Sequence, residues 1–193
     1  MSPRGIAIPD LRERLFGAAE RVMTRDGTLT SRAITEEAGC AKGVLHTHFA
    51  GLDAFVAELI LDRFARMAER AGELPARVGT GAVVDNLDAL ARAVLALDSA
   101  VVAFSLTRPG AAQQVRDAWA AGGPGFGTVQ QALDGYLRAE QERGRVAEGA
   151  DTQSIALALV GTWHHLLMTG AGGPDPRATV ARVIRALVPV PAP

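Results

Sequence analysis

Residues 30–55 of this 193-residue chain read TSRAITEEAGCAKGVLHTHFAGLDAF, and this stretch decides the fold of the amino-terminal region. Thr30 or Ser31 can cap a short helix, because hydroxyl oxygens accept from the free N–H groups of a first turn. Gly39 stands where a glycine commonly ends a helix. A second short helix is expected over residues 42–49. The pattern predicts a helix-turn-helix.

Apolar spacing supports the flanking elements of this motif. Leu45 and Phe49 have the i, i+4 spacing of two side chains that face inward from one helix. A first helix, which Asp10 could cap, precedes the quoted stretch. A long amphipathic helix follows Gly51 and runs to about Ala71. These elements form a predicted three-helix head and the first helix of a larger body.

Composition favours helices throughout the chain. Apolar residues make up 48% of the sequence and aromatic residues only 5%, so alanine, leucine and valine must build the core. Alanine and leucine are strong helix formers. We predict an all-α chain with a helix-turn-helix head over residues 1–50 and a body of about six helices over residues 51–193.

The last two predicted helices, over residues 151–187, differ from the others. The first of them, capped by Asp151 or Thr152, is apolar almost all round between residues 155 and 168. A helix without a polar face is covered on more than one side. We therefore predict that these two helices pair with a second copy of the chain in a homodimer.

Charge and cysteine content exclude several classes of protein. The net charge is −1, and residues 1–50 hold seven arginine or lysine residues against six acids, so bulk charge cannot attract nucleic acid. Cys40 is the only cysteine, which rules out an internal disulfide and favours a small apolar role in the turn. The start lacks an apolar signal segment, and no apolar run is long enough to span a bilayer. We expect a cytoplasmic protein with no membrane partner.

Candidate metal and catalytic sites are weak. His46 and His48, with acids nearby, have i, i+2 spacing, so their imidazoles lie on different helix faces and no metal site is predicted. Residues 122–127, GGPGFG, lack the ending of a phosphate loop and are predicted to be a connection. His164 and His165 point about 100° apart. They are expected to be core or interface residues, with an enzyme that uses one of them as a minor alternative. No catalytic residue and no cofactor are predicted.

The motif residues occur in the order and spacing of a known family. The pattern T-x-x-x-I-A-x-x-A-G-V-S-x-G-T-L-Y-x-H-F-x-x-K-x-x-L is similar to this chain without a gap, and the specific match covers about residues 10–60. The chain thus resembles the tetracycline-repressor (TetR) family of bacterial regulators. The residues that carry the resemblance are Ala18, Ala19, Gly27, Thr30, Ile34, Ala38, Gly39, Lys42, Gly43, Leu45, His48 and Phe49.

Five departures from the family pattern lie between residues 40 and 52. Cys40 and Ala41 stand where Val and Ser are usual, and Val44 stands where Thr or Ser is usual. His46 replaces a Tyr and Leu52 replaces a Lys, two residues that commonly hold phosphates in the family. His46 can still donate a hydrogen bond to phosphate, whereas Leu52 cannot. The resemblance therefore implies DNA binding with an atypical set of phosphate contacts.

The resemblance implies double-stranded operator DNA as a partner. Lys42 can donate to guanine and Val44 can contact a thymine methyl group, while Thr30 at a helix start suits a phosphate. Arg4 in the amino-terminal arm is a weaker phosphate candidate. The full set of predicted DNA-binding residues is Thr30, Arg32, Lys42, Gly43, Val44, His46, Thr47 and His48.

The resemblance also implies a cavity in the body for a small, mostly apolar effector. The bulky or polar residues expected to line it are Phe104, Trp119, Phe126, Tyr136, Trp163 and His164. The predicted function is a homodimeric, ligand-responsive transcriptional regulator, most often a repressor, that binds a near-palindromic operator and is released by its effector. The alternative is a dimeric small-molecule binding protein whose head no longer binds DNA.

Overall fold

The computed structural model describes residues 8–96, 99–169 and 175–189, and the structural statements below concern these residues. They form ten α-helices and one 3₁₀ turn, Leu74–Arg77, and contain no strand. The predicted all-α class is confirmed. The helices are α1 (Ile8–Asp26), α2 (Ser31–Glu37), α3 (Val44–His48), α4 (Leu52–Gly72), α5 (Val83–Leu95), α6 (Ser99–Leu106), α7 (Pro109–Ala120), α8 (Phe126–Gln141), α9 (Thr152–Thr169) and α10 (Pro176–Leu187).

The chain divides into two compact units. The first unit takes its described residues from 1–60 and 100–118, and the second takes them from 61–99 and 119–193. Helix α4 contributes its first half to one unit and its second half to the other. The first unit contains the predicted head and more, so the domain boundary placed at residue 50 stays a prediction.

Three phenylalanines form the centre of the first unit. The rings of Phe16, Phe49 and Phe55 lie with centroids 4.9–6.2 Å apart, a range typical of favourable aromatic pairs. Ile34 on α2 and Leu45 on α3 are fully buried. Helix α2 packs on both α1 and α3. Apolar side chains from every helix of the motif therefore fix the direction of α3.

The second unit is a helical bundle with a buried polar network. Helix α8 packs along α9, and α10 packs on α5 and α9. Asn86 on α5 donates to the Tyr136 hydroxyl (2.9 Å) and to the Thr80 carbonyl (2.9 Å). The buried Glu140 carboxylate accepts from the Gly79 backbone N–H at 3.0 Å and pairs with Arg145. These contacts tie the loop after the 3₁₀ turn to α8.

Several predicted helix boundaries are wrong. Helix α1 begins at Ile8, so Asp10 lies within its first turn and is not its cap; a proline at position 9 is tolerated there because the first N–H groups of a helix have no partner. The connection after α4 contains the 3₁₀ turn. Apolar spacing predicts starts at Gln113 for α7 and at Val129 for α8, whereas the helices begin earlier, at Pro109 and Phe126. Proline suits the first helical position of α7.

The predicted Asp151 cap of α9 is confirmed, and an aspartate also caps α10. Asp151 accepts from the Ser154 backbone N–H at 3.1 Å, and the Ser154 hydroxyl donates to the same carboxylate at 2.5 Å. These hydrogen bonds hold the pKa of Asp151 below its usual range. Asp175 accepts from the Ala178 backbone N–H at 3.0 Å and caps α10.

Within the described ranges, no single helix is long and apolar enough to cross a membrane. One pair, Val83–Leu95 with Ala100–Leu106, meets the length and composition criterion only when both helices are taken together. Core helices of folded proteins meet the same criterion.

Candidate nucleic-acid interface

The turn between α2 and α3 has the geometry that a glycine allows. Gly39 has φ +64°, in the left-handed region that other residues rarely adopt. Its N–H donates to the Glu36 carbonyl (3.1 Å), and the Cys40 N–H donates to the Thr35 carbonyl (2.8 Å). These two bonds define a Schellman motif, which satisfies the last carbonyls of α2 and turns the chain sharply. The predicted role of Gly39 is confirmed.

Helix α3 has one buried side and one exposed side. Leu45 is fully buried and Phe49, which ends the helix, is 4% exposed. His46, Thr47 and His48 are exposed, and Val44 is half-buried. The buried side chains thus fix the helix on the head, while its polar side faces outward.

The sequence pattern predicted that Lys42 and Gly43 begin this helix, but both residues precede it. Val44 is the first helical residue and Gly43 is the cap, with φ −82°. Both Lys42 and Gly43 are exposed. A Cβ atom built on Gly43 would meet nothing within 4 Å, so this glycine leaves open space at the outer surface of the turn.

The start of α2 carries two further candidates. The Thr30 hydroxyl accepts from the Ala33 backbone N–H at 3.1 Å, which confirms Thr30 as the cap. A hydroxyl keeps one donor while it accepts, so Thr30 can still donate to a phosphate oxygen. Arg32 is exposed and pairs with Glu36 at 2.8 Å. Exposed pairs of this kind contribute little, about 0–1 kcal/mol, so the guanidinium can exchange its partner for a phosphate.

Most of the basic side chains in the head are engaged within the first unit. Arg21 and Arg25 both bind the Glu37 carboxylate, at 2.7 and 2.8 Å, and hold its pKa below its usual range. Arg12 pairs with Glu58, and its guanidinium lies 5.3 Å from the Phe49 ring centroid. A count of charges along the sequence does not reveal this pairing, because it depends on which helices pack together.

Lys42 is the exception. Among the arginine and lysine side chains of residues 8–50, it alone makes no hydrogen bond or ion pair in the structure. Lys42 is therefore the cation of the motif that a nucleic acid could engage without breaking an existing contact.

Leu52 stands where the family pattern has a lysine, and the acid next to it, Asp53, is paired with an arginine. Leu52 begins α4 and is half-buried. Asp53, the next residue, accepts from Arg108 Nε at 2.5 Å, and the Arg108 guanidinium lies 5.7 Å from the Phe104 ring centroid. The Asp53 charge is thus neutralised inside the first unit, while Leu52 offers no donor.

Cys40 lies in the turn, as predicted. Its side chain is half-buried, and its thiol lies 3.5 Å from the Ala38 carbonyl oxygen, within reach of a weak hydrogen bond. No group of three or more potential metal-binding side chains occurs in the described part of the chain.

The six predicted effector-binding residues are separated by the structure. Phe104 belongs to the first unit and the other five belong to the second. Trp163 and Tyr136 are packed in the core, with 0% and 1% of their surface exposed. Burial raises the pKa of Tyr136 to about 12.

Three of the predicted residues meet in one aromatic cluster. Phe64 lies edge-on to both Trp119 and Phe126, with centroids 5.1 Å apart in each pair, and Phe126 lies 5.0 Å from His164. Trp119 also donates from Nε1 to the Pro124 carbonyl at 3.0 Å. The assignment of all six residues to an effector site stays a prediction.

A sizeable cleft in the second unit lies elsewhere, between α4 and α5. It has a volume of about 590 Å³ and adjoins a second cleft of about 210 Å³, with which it shares Arg70, Glu73 and Ala93. We call the two together the α4–α5 groove. Its lining includes Arg63, Arg66, Met67, Glu69, Arg70, Glu73, Leu74, Arg77, Asn86, Ala89, Leu90, Ala93 and Ala96.

The sequence alone does not predict this groove, although it carries one signal. Arg63, Arg66 and Arg70 have i, i+3, i+7 spacing, which places them on one side of α4. A charged side of a helix is usually solvated, so the spacing alone does not distinguish a groove from an open surface.

Comparisons with known proteins identify the fold. No protein-family model matches the chain, and no curated protein matches it. By structure, 119 chains match. A crystal structure of a protein assigned to the TetR family of transcriptional regulators, from Mesorhizobium loti, has a TM-score of 0.70 and 15% identity, covering 95% of this chain and 97% of that one.

Two further structures agree at similar coverage. The reduced form of NemR from E. coli has a TM-score of 0.72 with 16% identity, covering 95% of this chain and 100% of its own. The transcriptional regulator FadR from Bacillus subtilis, in complex with stearoyl-CoA, has a TM-score of 0.65 with 18% identity, covering 91% of this chain and 97% of its own. The resemblance predicted from the sequence is thereby confirmed at the level of structure: this chain has the fold of TetR-family regulators.

Proposed function

We propose that this chain is a ligand-responsive transcriptional repressor that binds a near-palindromic operator as a homodimer. One observation carries the proposal: the Schellman turn at Gly39 and the buried anchors Leu45 and Phe49 present the polar side of α3 outward. A short helix held in this way can enter the major groove of DNA. The TetR-type fold of the whole chain supports the same function.

Base recognition is assigned to the turn and the first part of α3. Lys42 donates to guanine O6 or N7, and Val44 contacts a thymine methyl group. The open space at Gly43 lets the DNA backbone approach. Thr47 and His46 donate to a base edge or a phosphate. Thr30, Arg32 and His48 complete the set as phosphate contacts.

Two heads are needed, because a single head offers few contacts. Helix α9 supplies a surface for pairing: Leu157 is 59% exposed, and Ala158, Gly161 and His165 are exposed along the same side. No neighbouring atom lies within 4 Å of a Cβ built on Gly161, so a second helix can approach closely there. We propose that this side of α9, with α10, pairs with a second copy of the chain.

Effector response is assigned to α4. This helix is continuous from Leu52, four residues after α3, to Gly72 in the second unit. An effector that binds the second unit and shifts α4 would change the spacing of the two heads. The effector must bind the two states with different affinity, since otherwise no equilibrium shifts. The stearoyl-CoA complex of FadR supports a small-molecule effector by analogy.

A mobility-shift titration tests the DNA-binding part of the proposal. The probe is the DNA upstream of the protein's own gene, at 50 and 150 mM salt, with the wild type and Lys42→Gln. We expect a shift at both salt concentrations and weaker binding by the variant. If neither salt concentration gives a shift, the result would favour the second candidate function.

The second candidate is a dimeric small-molecule binding protein whose head has lost DNA binding. Two observations favour it specifically: Leu52 offers no donor at a phosphate position, and Arg12, Arg21 and Arg25 are bound to carboxylates within the first unit. In this case effector binding would persist while operator binding is absent.

A further inference from the structure

We propose that the α4–α5 groove binds an amphiphilic organic anion, a molecule with a carboxylate or phosphate group and an extended apolar portion. The inference deepens the proposed function, on which its regulatory consequence rests, because it names the chemical class of the effector. It replaces the mostly apolar effector that the sequence analysis predicted.

Charge is the first argument. Four arginines and two glutamates line the groove, which gives the lining a net formal charge of +2 in a chain whose net charge is −1. Arg63, Arg66 and Arg70 lie along about 10 Å of α4, at a rise of roughly 1.5 Å per residue. Arginine is the side chain best suited to bind carboxylate or phosphate, because its planar fork donates two parallel hydrogen bonds.

The burial of the Arg63 side chain in the groove also supports the proposal. The Arg63 side chain is only 14% exposed, whereas those of Arg66 and Arg70 are 54% and 65% exposed. Asp62 accepts from Arg63 at 2.6 Å and from Arg66 at 2.9 Å, which orients both guanidinium groups. A guanidinium has five N–H donors, more than a single carboxylate can accept.

The opposite wall provides the apolar contact. Ala89 and Ala93 on α5 and Ala96, which caps the end of this helix, have i, i+4, i+7 spacing, so their small side chains line the side of the groove opposite the arginines. Met67, which is 2% exposed, contributes an adaptable apolar surface from α4. A combined volume near that of typical ligand sites, with charged groups on one wall and apolar groups on the other, suits an amphiphile.

Calorimetric titration without DNA tests the inference. The probes are decanoate, decyl phosphate and decanol, each below the concentration at which micelles form. The test variant is Arg66→Gln with Arg70→Gln, two exposed residues whose replacement leaves the core intact. The control is Arg138→Gln on α8, which has the same type of i, i+4 pair with an aspartate, is 61% exposed and lies outside the groove.

We expect both anions to bind wild-type protein at least about tenfold more tightly than decanol, and the double variant to lose about tenfold in affinity for the anions alone. The control variant should bind all three probes like the wild type. Equal affinity for decanol and the anions, unchanged anion binding by the double variant, or no binding of either anion would overturn the inference. Decanoate and decyl phosphate together show which head group the groove prefers.

A parallel titration of operator DNA separates this inference from the proposed function. Anion binding that leaves operator affinity unchanged would contradict the proposed coupling through α4 and support the groove assignment. A protein that never binds DNA but binds decanoate through Arg66 and Arg70 would likewise contradict only the proposed function. Operator release by the anions, abolished in the double variant, supports both.

Discussion

Leu52 is the position at which a single substitution should strengthen DNA binding. It is half-buried at the start of α4, close in sequence to the exposed side of α3, and it stands where the family pattern has a phosphate-binding lysine. Leu52→Lys should restore one phosphate contact in each head. Each added contact steepens the dependence of log K on log salt by about 0.9, so a dimer gains about 1.8.

This change in slope has a measurable consequence. Between 50 and 200 mM salt, the variant should lose about twelvefold more affinity than the wild type, from a tighter starting value at 50 mM. Fluorescence anisotropy with a labelled operator measures both slopes. The new charge lies at a helix start, where the dipole disfavours cations by roughly 0.3–1 kcal/mol, so a small drop in melting temperature is expected.

Leu106→Lys provides the matched control. Leu106 is 61% exposed on α6, outside the helix-turn-helix, and its replacement adds the same charge. We expect the control to leave the slope unchanged. Equal steepening in both variants would show that bulk charge determines binding, and an unchanged slope for Leu52→Lys would refute the placement of this residue at a phosphate.

Three further predictions concern assembly, the turn and the core. Leu157→Arg should convert the dimer to monomers in sedimentation, while Leu106→Arg, at an equally exposed leucine, should not; a dimer that survives Leu157→Arg would exclude this side of α9 as the interface. Gly39→Ala should destabilise the protein by about 1–2 kcal/mol in urea unfolding because of its positive φ, whereas Gly43→Ala should change stability by less than about 0.5 kcal/mol. Tyr136, the single tyrosine, should ionise near pH 12 in the folded protein and near pH 10 in urea, as followed by ultraviolet absorbance. Because the pKa is higher in the folded state, the contribution of Tyr136 to stability is complete below pH 10 and is lost as the pH rises through 12. Equal pKa values in both states would contradict the burial of Tyr136.

The sequence predicts the features that depend on neighbouring residues. Thr30, Gly39, Leu45 and Phe49 act through local rules for caps, left-handed glycines and helical spacing, and the structure confirms each of them. The predicted start of α1 at Asp10 is wrong, because Pro9 favours a break in the sequence pattern but is tolerated in the first turn of a helix that begins at Ile8.

Features that depend on how helices pack could not be predicted in the same way. Glu37 binds two arginines of α1 only because α1 and α2 pack together, and this pairing leaves Lys42 as the unengaged cation of the motif. The α4–α5 groove depends on the space between two helices, which spacing along either helix does not reveal. Aromatic and polar residue types likewise did not indicate that Tyr136 and Trp163 lie in the core.

The most direct test of DNA recognition is the specificity of the head. Wild-type protein is used to select binding sequences from random double-stranded DNA, and the selected operator is titrated at 100 mM salt against unrelated duplex DNA. The account predicts a near-palindromic site, two chains per site, and binding at least about 10³-fold tighter than to unrelated DNA. Selection of no consistent sequence, or equal affinity for both duplexes, would contradict it.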